Sequence, residues 1–227
     1  MSNIRFIAIE GLDGAGKSTQ VELLKKYYES QGAECYCVHF PRVENKPWGE
    51  LIAKFLRGGF GKLNELDPYL VALLYAEDRH NMASQIFGWL HSECVVIVDR
   101  YVYSNIAFQC AKLSGEAARR KLFRWIWKLE YDEFAIPYPE LTLFLDVPFD
   151  FTQRKLSEPR RGSDRRYLAG KSDIHEADLD FQRRVREVYL DFQRRRDFRV
   201  VGCADESGVM LPADAIFQKI KAALKLK

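Results

Sequence analysis

The run Gly11-Leu12-Asp13-Gly14-Ala15-Gly16-Lys17-Ser18-Thr19 satisfies the G-x-x-x-x-G-K-[ST] pattern of a phosphate-binding loop. Glycines at these positions let backbone N–H groups turn inward around a polyphosphate, and a helix starting at the end of the loop adds partial positive charge. The spacing predicts Lys17 on the β- and γ-phosphates and the Ser18 hydroxyl on Mg²⁺. A chance glycine-rich turn would need no particular context. Here the apolar stretch Ile4 to Glu10 leads in, and a helical pattern over Gln20 to Tyr28 leads out.

Kinases, GTPases and ATPase motors all use such a loop, and other residues narrow the choice. Asn45-Lys46-Pro47-Trp48 lacks the Asp of the N-K-x-D base-reading motif of GTPases. The apolar run Val95-Val96-Ile97-Val98 ends in Asp99-Arg100, not in the paired acids of a motor ATPase. One carboxylate beside Mg²⁺ followed by a cation suits a bound acceptor anion, because the cation neutralises repulsion between acceptor and donor phosphates. The same pair, with Arg42 and Arg79, argues against a nucleotide-dependent switch, and the intact Lys17 and Ser18 argue against a structural protein with a vestigial loop. A kinase for another nucleotide or a deoxynucleoside stays open on these residues.

The segment Asp99-Arg100-Tyr101-Val102-Tyr103-Ser104-Asn105-Ile106-Ala107-Phe108-Gln109 resembles the D-R-Y/H…S…A-Y/F-Q segment of thymidylate kinases. Phe40-Pro41-Arg42, Leu74-Tyr75-Ala76-Glu77-Asp78-Arg79 and Pro139-Glu140-Leu141-Thr142-Leu143-Phe144-Leu145-Asp146 are similar to three further motifs of that family, in the same order. The resemblance covers nearly the whole chain and is greatest to bacterial members. It implies a P-loop nucleotide kinase fold: a five-stranded parallel sheet flanked by helices, with a mobile lid, in one domain over residues 1–227.

The resemblance also implies roles. Gly11, Asp13, Gly14, Ala15, Gly16, Lys17, Ser18 and Thr19 would hold ATP, with Ser18 and Asp99 on the metal side and Asp99 orienting Mg²⁺ or its waters. Asp13 matches the acid that meets the deoxyribose 3′-hydroxyl. Arg42, beside Phe40, and Arg100 match arginines that grip the monophosphate through paired charge-assisted hydrogen bonds. Tyr75 matches the aromatic that stacks on thymine, with plain core packing as the rival reading. Arg79 matches the arginine that reads the thymine 4-carbonyl, against a solvated side chain. Ser104, Phe108 and Gln109 match the lining of the base pocket, with helix capping as the alternative for Ser104. Residues 157–173 match the lid over ATP, and Arg154 a residue lying against adenine. Arg160, Arg161, Arg165 and Arg166 are the candidates for the transferred phosphoryl. Of these, Arg165 and Arg166, followed by Tyr167, are most similar to the family's lid motif. Gly14 stands where some members carry an Arg, which implies that the stabilising Arg comes from the lid. The implied reaction converts ATP and dTMP to ADP and dTDP by positioning and charge neutralisation, without a strong general base.

These residues must be held by alternating elements. Short apolar runs predict strands over Phe6–Glu10, Cys35–Phe40, Val95–Asp99, Leu141–Asp146 and Arg199–Cys203, buried on both faces. Helical patterns cover Gly49–Leu56, Pro68 to Leu90, Ser104–Ala111, Glu116–Leu129, Leu179 to Phe192 and Ala213 to Leu224. This order predicts a parallel sheet whose ligands sit beyond the carboxyl ends of the strands. Ser157 to Asp173, with Pro159, Gly162, Gly170 and clustered arginines, reads as a mobile surface loop. The Arg-rich stretch Arg183 to Arg199, with acids interspersed, reads as a solvated helix face.

At 227 residues, 47% of them apolar, the chain is long enough for a sizeable core, and its net charge of +3 does not suggest a nucleic-acid coat. The five cysteines have no zinc spacing. Cys35, Cys37, Cys94 and Cys203 fall on predicted strands, where a thiol packs as a small apolar group. An odd count without a signal-like start predicts a cytoplasmic protein, and no stretch of about 18 apolar residues predicts a membrane span. Family members are often homodimers. Phe123, Trp125 and Trp127 could serve that interface or the core.

Overall fold

The computed structural model describes residues 4–157, 167–168, 173–176 and 178–226. In chain order the main elements are β1 (Phe6–Gly11), α1 (Lys17–Ser30), β2 (Cys35–His39), α2 (Trp48–Leu56), α3 (Pro68–His91), β3 (Val95–Asp99) and α4 (Val102–Cys110). They continue with α5 (Glu116–Trp127), β4 (Leu141–Asp146), α6 (Phe149–Ser157), α7 (Leu179–Asp191), β5 (Phe198–Gly202) and α8 (Ala213–Ala223). The five strands form one parallel sheet in the order β2-β3-β1-β4-β5. The sheet order changes direction around β1, so the crevice between the carboxyl ends of β1 and β3 is where an open α/β sheet takes its ligand. Ile9 pairs with Asp99 there, which places the phosphate loop beside the Asp99-Arg100 pair.

Side-chain alternation assigns the two faces. Phe6, Ala8, Val96, Val98 and Phe144 pack with α3, α4, α5 and α7, whereas Ile7, Ile9, Val95, Ile97 and Leu143 pack against Leu24 and Tyr28 of α1 and Ile216 and Ile220 of α8. All six residues of β1 are buried. Full burial of each Ile or Phe contributes about 1.5–3 kcal/mol, so the central strand is fixed by both layers at once. Among the described residues no helix is long and apolar enough to cross a membrane.

The expected strands are found with ends displaced by at most one residue. The helices differ where long-range contacts act. Helix α4 begins at Val102, before the expected Ser104, because the buried Glu10 carboxylate accepts from Tyr101 N at 2.9 Å and Ser104 N at 3.1 Å. A carboxylate from another strand therefore caps this helix, a favourable place for negative charge, and Ser104 sits inside the helix. Helix α5 ends at Trp127 and widens into a π-turn over Lys128–Glu133, which carries the buried Glu130. Helix α3 starts as its sequence dictates: Asp67 accepts from Tyr69 N at 2.7 Å, and Pro68 occupies the first turn.

Two expectations of placement change, for the arginines of α7 and for Cys37. The arginines of α7 are not simply a solvated face, since Arg186 makes two bonds of 2.6 and 2.9 Å to Asp146. The rings of the α5 tryptophans have partners within the chain. Trp127 stacks on Phe123 at 5.5 Å and Trp125 meets Tyr69 at 4.9 Å. Finally, Cys35, Cys94 and Cys203 are buried as expected, but Cys37, on the edge strand β2, is exposed.

Candidate active site

The phosphate loop leaves β1 and enters α1 through two left-handed glycines, Gly14 at φ 76° and Gly16 at φ 79°. Gly11 is needed for space: a Cβ there would lie 3.2 Å from that of Ala15. Lys17 is buried, and its Nζ donates to Leu12 O at 2.9 Å, back across the loop. Burial lowers its pKa to about 8, and Arg100 adds to that effect against Asp99, Asp13 and Glu10.

Asp99 closes β3 beside the loop. Its Oδ2 accepts from Ser18 Oγ at 3.2 Å and stands 3.2 Å from His39 Nδ1, while Oδ1 is buried without a partner. Burial opposes its charge, but His39 and Lys17 outweigh burial and hold the carboxyl at about 2. An orphaned carboxylate oxygen next to a hydroxyl fits a hard divalent cation. Among the described residues no group of three or more His, Cys, Asp or Glu could hold a metal, so such a cation would draw its other ligands from phosphate and water.

Arg100 adopts φ 67°, a left-handed conformation that costs a non-glycine residue about 1–2 kcal/mol. Its backbone N donates to Ile9 O at 2.9 Å, and its side chain turns into the crevice. There Nη1 donates to Gly11 O at 3.0 Å and Ser104 Oγ at 3.2 Å, and Nη2 donates to Asp13 Oδ1 at 2.6 Å. The second Asp13 oxygen accepts from Gln182 Nε2 at 2.9 Å. Burial opposes ionisation of Asp13, yet Arg100 and Lys17 hold its carboxyl well below the ordinary range.

Further along the same cleft, Arg42 is anchored to α3. Its N and Nε donate to the Asp78 carboxylate at 2.8 and 3.0 Å, and Nη2 donates to Asp78 O at 2.6 Å and Asn81 Oδ1 at 3.0 Å. Arg79 is 2% exposed and not a solvated side chain. Its guanidinium forks onto Glu130 at 2.5 and 2.6 Å, and Asn105 Nδ2 donates to the same carboxylate at 3.0 Å. The two charges are buried together, which is tolerable only because they pair with this geometry.

One cavity of about 1270 Å³ joins these groups. Its walls include Asp13 to Thr19, Phe40, Arg42, Tyr75, Arg79, Asp99, Arg100, Ser104, Phe108, Gln109 and Tyr167, so expected residues from separate parts of the chain meet in one space. Tyr75 lines the cavity and also meets Phe55 edge-on at 6.3 Å. Gly11 contributes its carbonyl to Arg100 from behind the loop. Arg154 lies elsewhere, in an adjoining hollow on the far side of the loop formed with Gly16, Thr19, Phe151 and Met210. Arg160, Arg161, Arg165 and Arg166 lie outside the described residues.

Several residues of the site carried no local signal. Glu130 and Asn105 fix Arg79. Glu10 fixes the start of α4, and its Oε2 also accepts from Ser104 Oγ and, at 2.9 Å, from Tyr189 OH. His175 roofs the cavity, 5% exposed, against Phe55, Phe108 and Phe181 at 5.3, 5.0 and 5.5 Å. Burial, aided by Lys112, lowers its pKa to about 3. Asp173 accepts from Tyr167 OH at 3.0 Å and His175 N at 2.8 Å, and burial with the nearby Asp13 raises its carboxyl to about 7. Gln182 links this roof to the loop, donating to His175 O at 3.0 Å as well as to Asp13. A polar residue on the apolar stripe of α7 is the one sequence signal that could have singled out Gln182.

Known proteins are similar to this chain in sequence and in fold. A family model described as thymidylate kinase matches residues 9–207. The thymidylate kinase of Mycobacterium tuberculosis H37Rv is 34% identical over 185 residues, covering 82% of this chain and 84% of that protein. A probable thymidylate kinase of Thermococcus gammatolerans is 35% identical over 193 residues, covering 82% and 81%. Among solved structures, the Candida albicans thymidylate kinase aligns with a TM-score of 0.69 at 24% identity, over 97% of this chain and 91% of that one. That of Ehrlichia chaffeensis gives 0.65 at 22%, over 96% and 97%. These two establish the shared fold. With the family model spanning most of the sequence and relatives above 30% identity over four-fifths of it, the chain belongs to the thymidylate kinase family.

Proposed function

We propose that this chain transfers the γ-phosphoryl group of ATP to dTMP, with Mg²⁺, giving ADP and dTDP. The observation that carries the reading is the single cleft with a phosphate loop at one end, Arg79 and Tyr75 at the other, and Arg100 between them. Names of relatives supply the nucleobase. The acceptor phosphate is already ionised at neutral pH, so the chain's task is alignment and charge neutralisation.

In this reading the loop amides and Lys17 grip the donor phosphates. Arg100 and Arg42 hold the acceptor phosphate, and Asp13 accepts from the sugar hydroxyl. Tyr75 packs on the base and Arg79, stiffened by Glu130, donates to its carbonyl. Asn105 Oδ1 and Gln109 Oε1 are buried without partners on the cavity wall, which suits an N–H of the base. Ser18 and Asp99 Oδ1 would hold Mg²⁺, which supplies further neutralisation of phosphate charge. Arg154 would meet the adenine from its separate hollow. The stretch 157–173 is proposed as the lid of one domain spanning 1–227, with Arg165 and Arg166 on the transferred phosphoryl.

We also propose a homodimer, supported by apolar surface on α3, where Leu70 is 67% exposed, and a reducing cytoplasmic setting, supported by five free cysteines. The deciding experiment is coupled ADP release with dTMP, dUMP, dCMP, dGMP, UMP and AMP. Fast turnover with dTMP is expected. Turnover with another monophosphate alone, or slow hydrolysis that dTMP does not stimulate, would refute the assignment. Light scattering tests the dimer, and a monomer at micromolar concentration would remove it.

A further inference from the structure

Helix α2 ends where Gly58 adopts φ 72°, a left-handed conformation that glycine takes without strain. The turn folds back on the helix: Gly58 N donates to Phe55 O at 2.8 Å and Gly59 N to Lys54 O at 2.8 Å. The Leu56 carbonyl instead accepts from outside the helix, where Ile174 N donates to it at 3.1 Å. A Cβ at Gly58 would lie 3.5 Å from Ile174 Cγ2, so the backbone and the side chain of Ile174 both rest on this helix end. Beside it, Arg57 Nη1 donates to Tyr167 O. Two points next to the roof residues Tyr167, Asp173 and His175, all three on the cavity wall, are thus tied to one helix end.

We propose that Arg57 is a positioning residue for the acceptor: by holding Tyr167 to the end of α2 it sets the roof over Asp13 of the phosphate loop. The hydrogen bonds run on without a break. Tyr167 OH donates to Asp173 Oδ2 at 3.0 Å, and Asp173 Oδ1 accepts from His175 N at 2.8 Å. His175 O accepts from Gln182 Nε2 at 3.0 Å, and the same Nε2 donates to Asp13 Oδ2 at 2.9 Å. Ring packing follows a parallel line, since His175 meets Phe55 of α2 at 5.3 Å and Phe55 meets Tyr75 at 6.3 Å. Asp13 and Tyr75 are the groups proposed to hold the sugar and the base, so the inference rests on that reading. Among the described residues Leu56 lines the cavity and Arg57 does not, so Arg57 acts through the roof and not on the nucleotide. The donor phosphates fall to the loop amides and to Lys17, whose Nζ bonds Leu12 O within the loop. The effect of Arg57 therefore lies on the acceptor. A cation that only complemented the negative end of α2 would change stability and leave the balance between the two substrates alone.

The test compares full-length Arg57→Ala, Arg57→Met and Arg57→Lys with wild type, by amide hydrogen exchange and by steady-state kinetics with ATP and dTMP. In the ligand-free protein, loss of the donor is expected to speed exchange across residues 173–176 by about tenfold, while the amides of β1 and β3 keep their wild-type rates. KM for dTMP is expected to rise by about tenfold, the size of one hydrogen bond from a charged group, with KM for ATP within about twofold of wild type. Arg57→Met, which keeps the stem without the donor, should match Arg57→Ala. Arg57→Lys, which keeps a cationic donor, should recover most of the wild-type behaviour in both measurements. Unchanged exchange at 173–176, equal rises in the two KM values, or an Arg57→Met variant like wild type would overturn the proposal. If wild-type protein did not turn over dTMP, the acceptor reading would fail instead, while exchange would still read the anchor at Arg57.

Discussion

Arg100 Nη2 donates to Asp13 Oδ1 across 2.6 Å, joining the end of β3 to the middle of the phosphate loop. A cation expected to hold the acceptor is thus built into the donor loop, so filling one site positions the other. Arg100→Ala should therefore lower kcat/KM for dTMP by about a hundredfold or more, while Mg-ATP affinity changes only a few-fold. Steady-state kinetics with direct ATP titration check this, and a collapse of ATP affinity with dTMP affinity intact would contradict the assignment.

Lys17 lies folded over the loop, its Nζ on Leu12 O, ready to exchange a carbonyl for a phosphate oxygen. Removing one such electrostatic donor costs roughly a hundred- to a thousandfold in turnover. Lys17→Ala should show that loss with a circular dichroism spectrum like wild type. A fully active variant would remove the donor-site reading.

Arg79 and Glu130 are charges that neither helix could bury alone. Breaking such a pair costs about 3–5 kcal/mol because the survivor is left uncompensated. At about 2–4 °C per kcal/mol for a chain of this size, Glu130→Ala should lower Tm by roughly 10 °C. It should also raise KM for dTMP more than KM for ATP. An unchanged Tm would show that the pair is not closed in solution.

Asp173 has a folded-state pKa near 7, raised by burial and by Asp13 above its ordinary 3.8. The folded protein then binds a proton that the unfolded chain has released, so this group makes stability fall as pH rises from about 4 to 7. Asp173→Asn removes that dependence. The variant should match wild type near pH 4 and exceed it above pH 7, by an upper bound of about 4 kcal/mol. Thermal melts of the ligand-free protein across that range provide the check, and parallel curves would refute it.

The proposed lid predicts that replacing Arg165 and Arg166 together lowers kcat more than it weakens binding of either nucleotide. Kinetics and equilibrium titration on the same variant separate the two. Weakened binding with kcat preserved would place these arginines outside the chemistry.

Much of this protein is written locally. Apolar runs of five or six residues specified the strands, because a strand buried on both faces needs unbroken hydrophobicity. The phosphate loop was legible because glycine, lysine and serine must follow one another at fixed spacing for backbone amides to converge. Asp99-Arg100 was legible for the same reason, as a charged pair at a strand end. What surrounds these groups was decided only by tertiary packing. Glu130 lies 51 residues from the arginine it holds, and Gln182 lies 169 residues from Asp13. Glu10 and Ser104 are 94 apart. A buried charge is identified by its partner, and no periodicity within a segment announces a partner so far away. Cys35 and Cys37 differ for an equally non-local reason. They share a strand and a face, yet Cys35 lies in the cluster with Leu24 and Tyr28 of α1 while Cys37 is exposed, because burial depends on what another element covers.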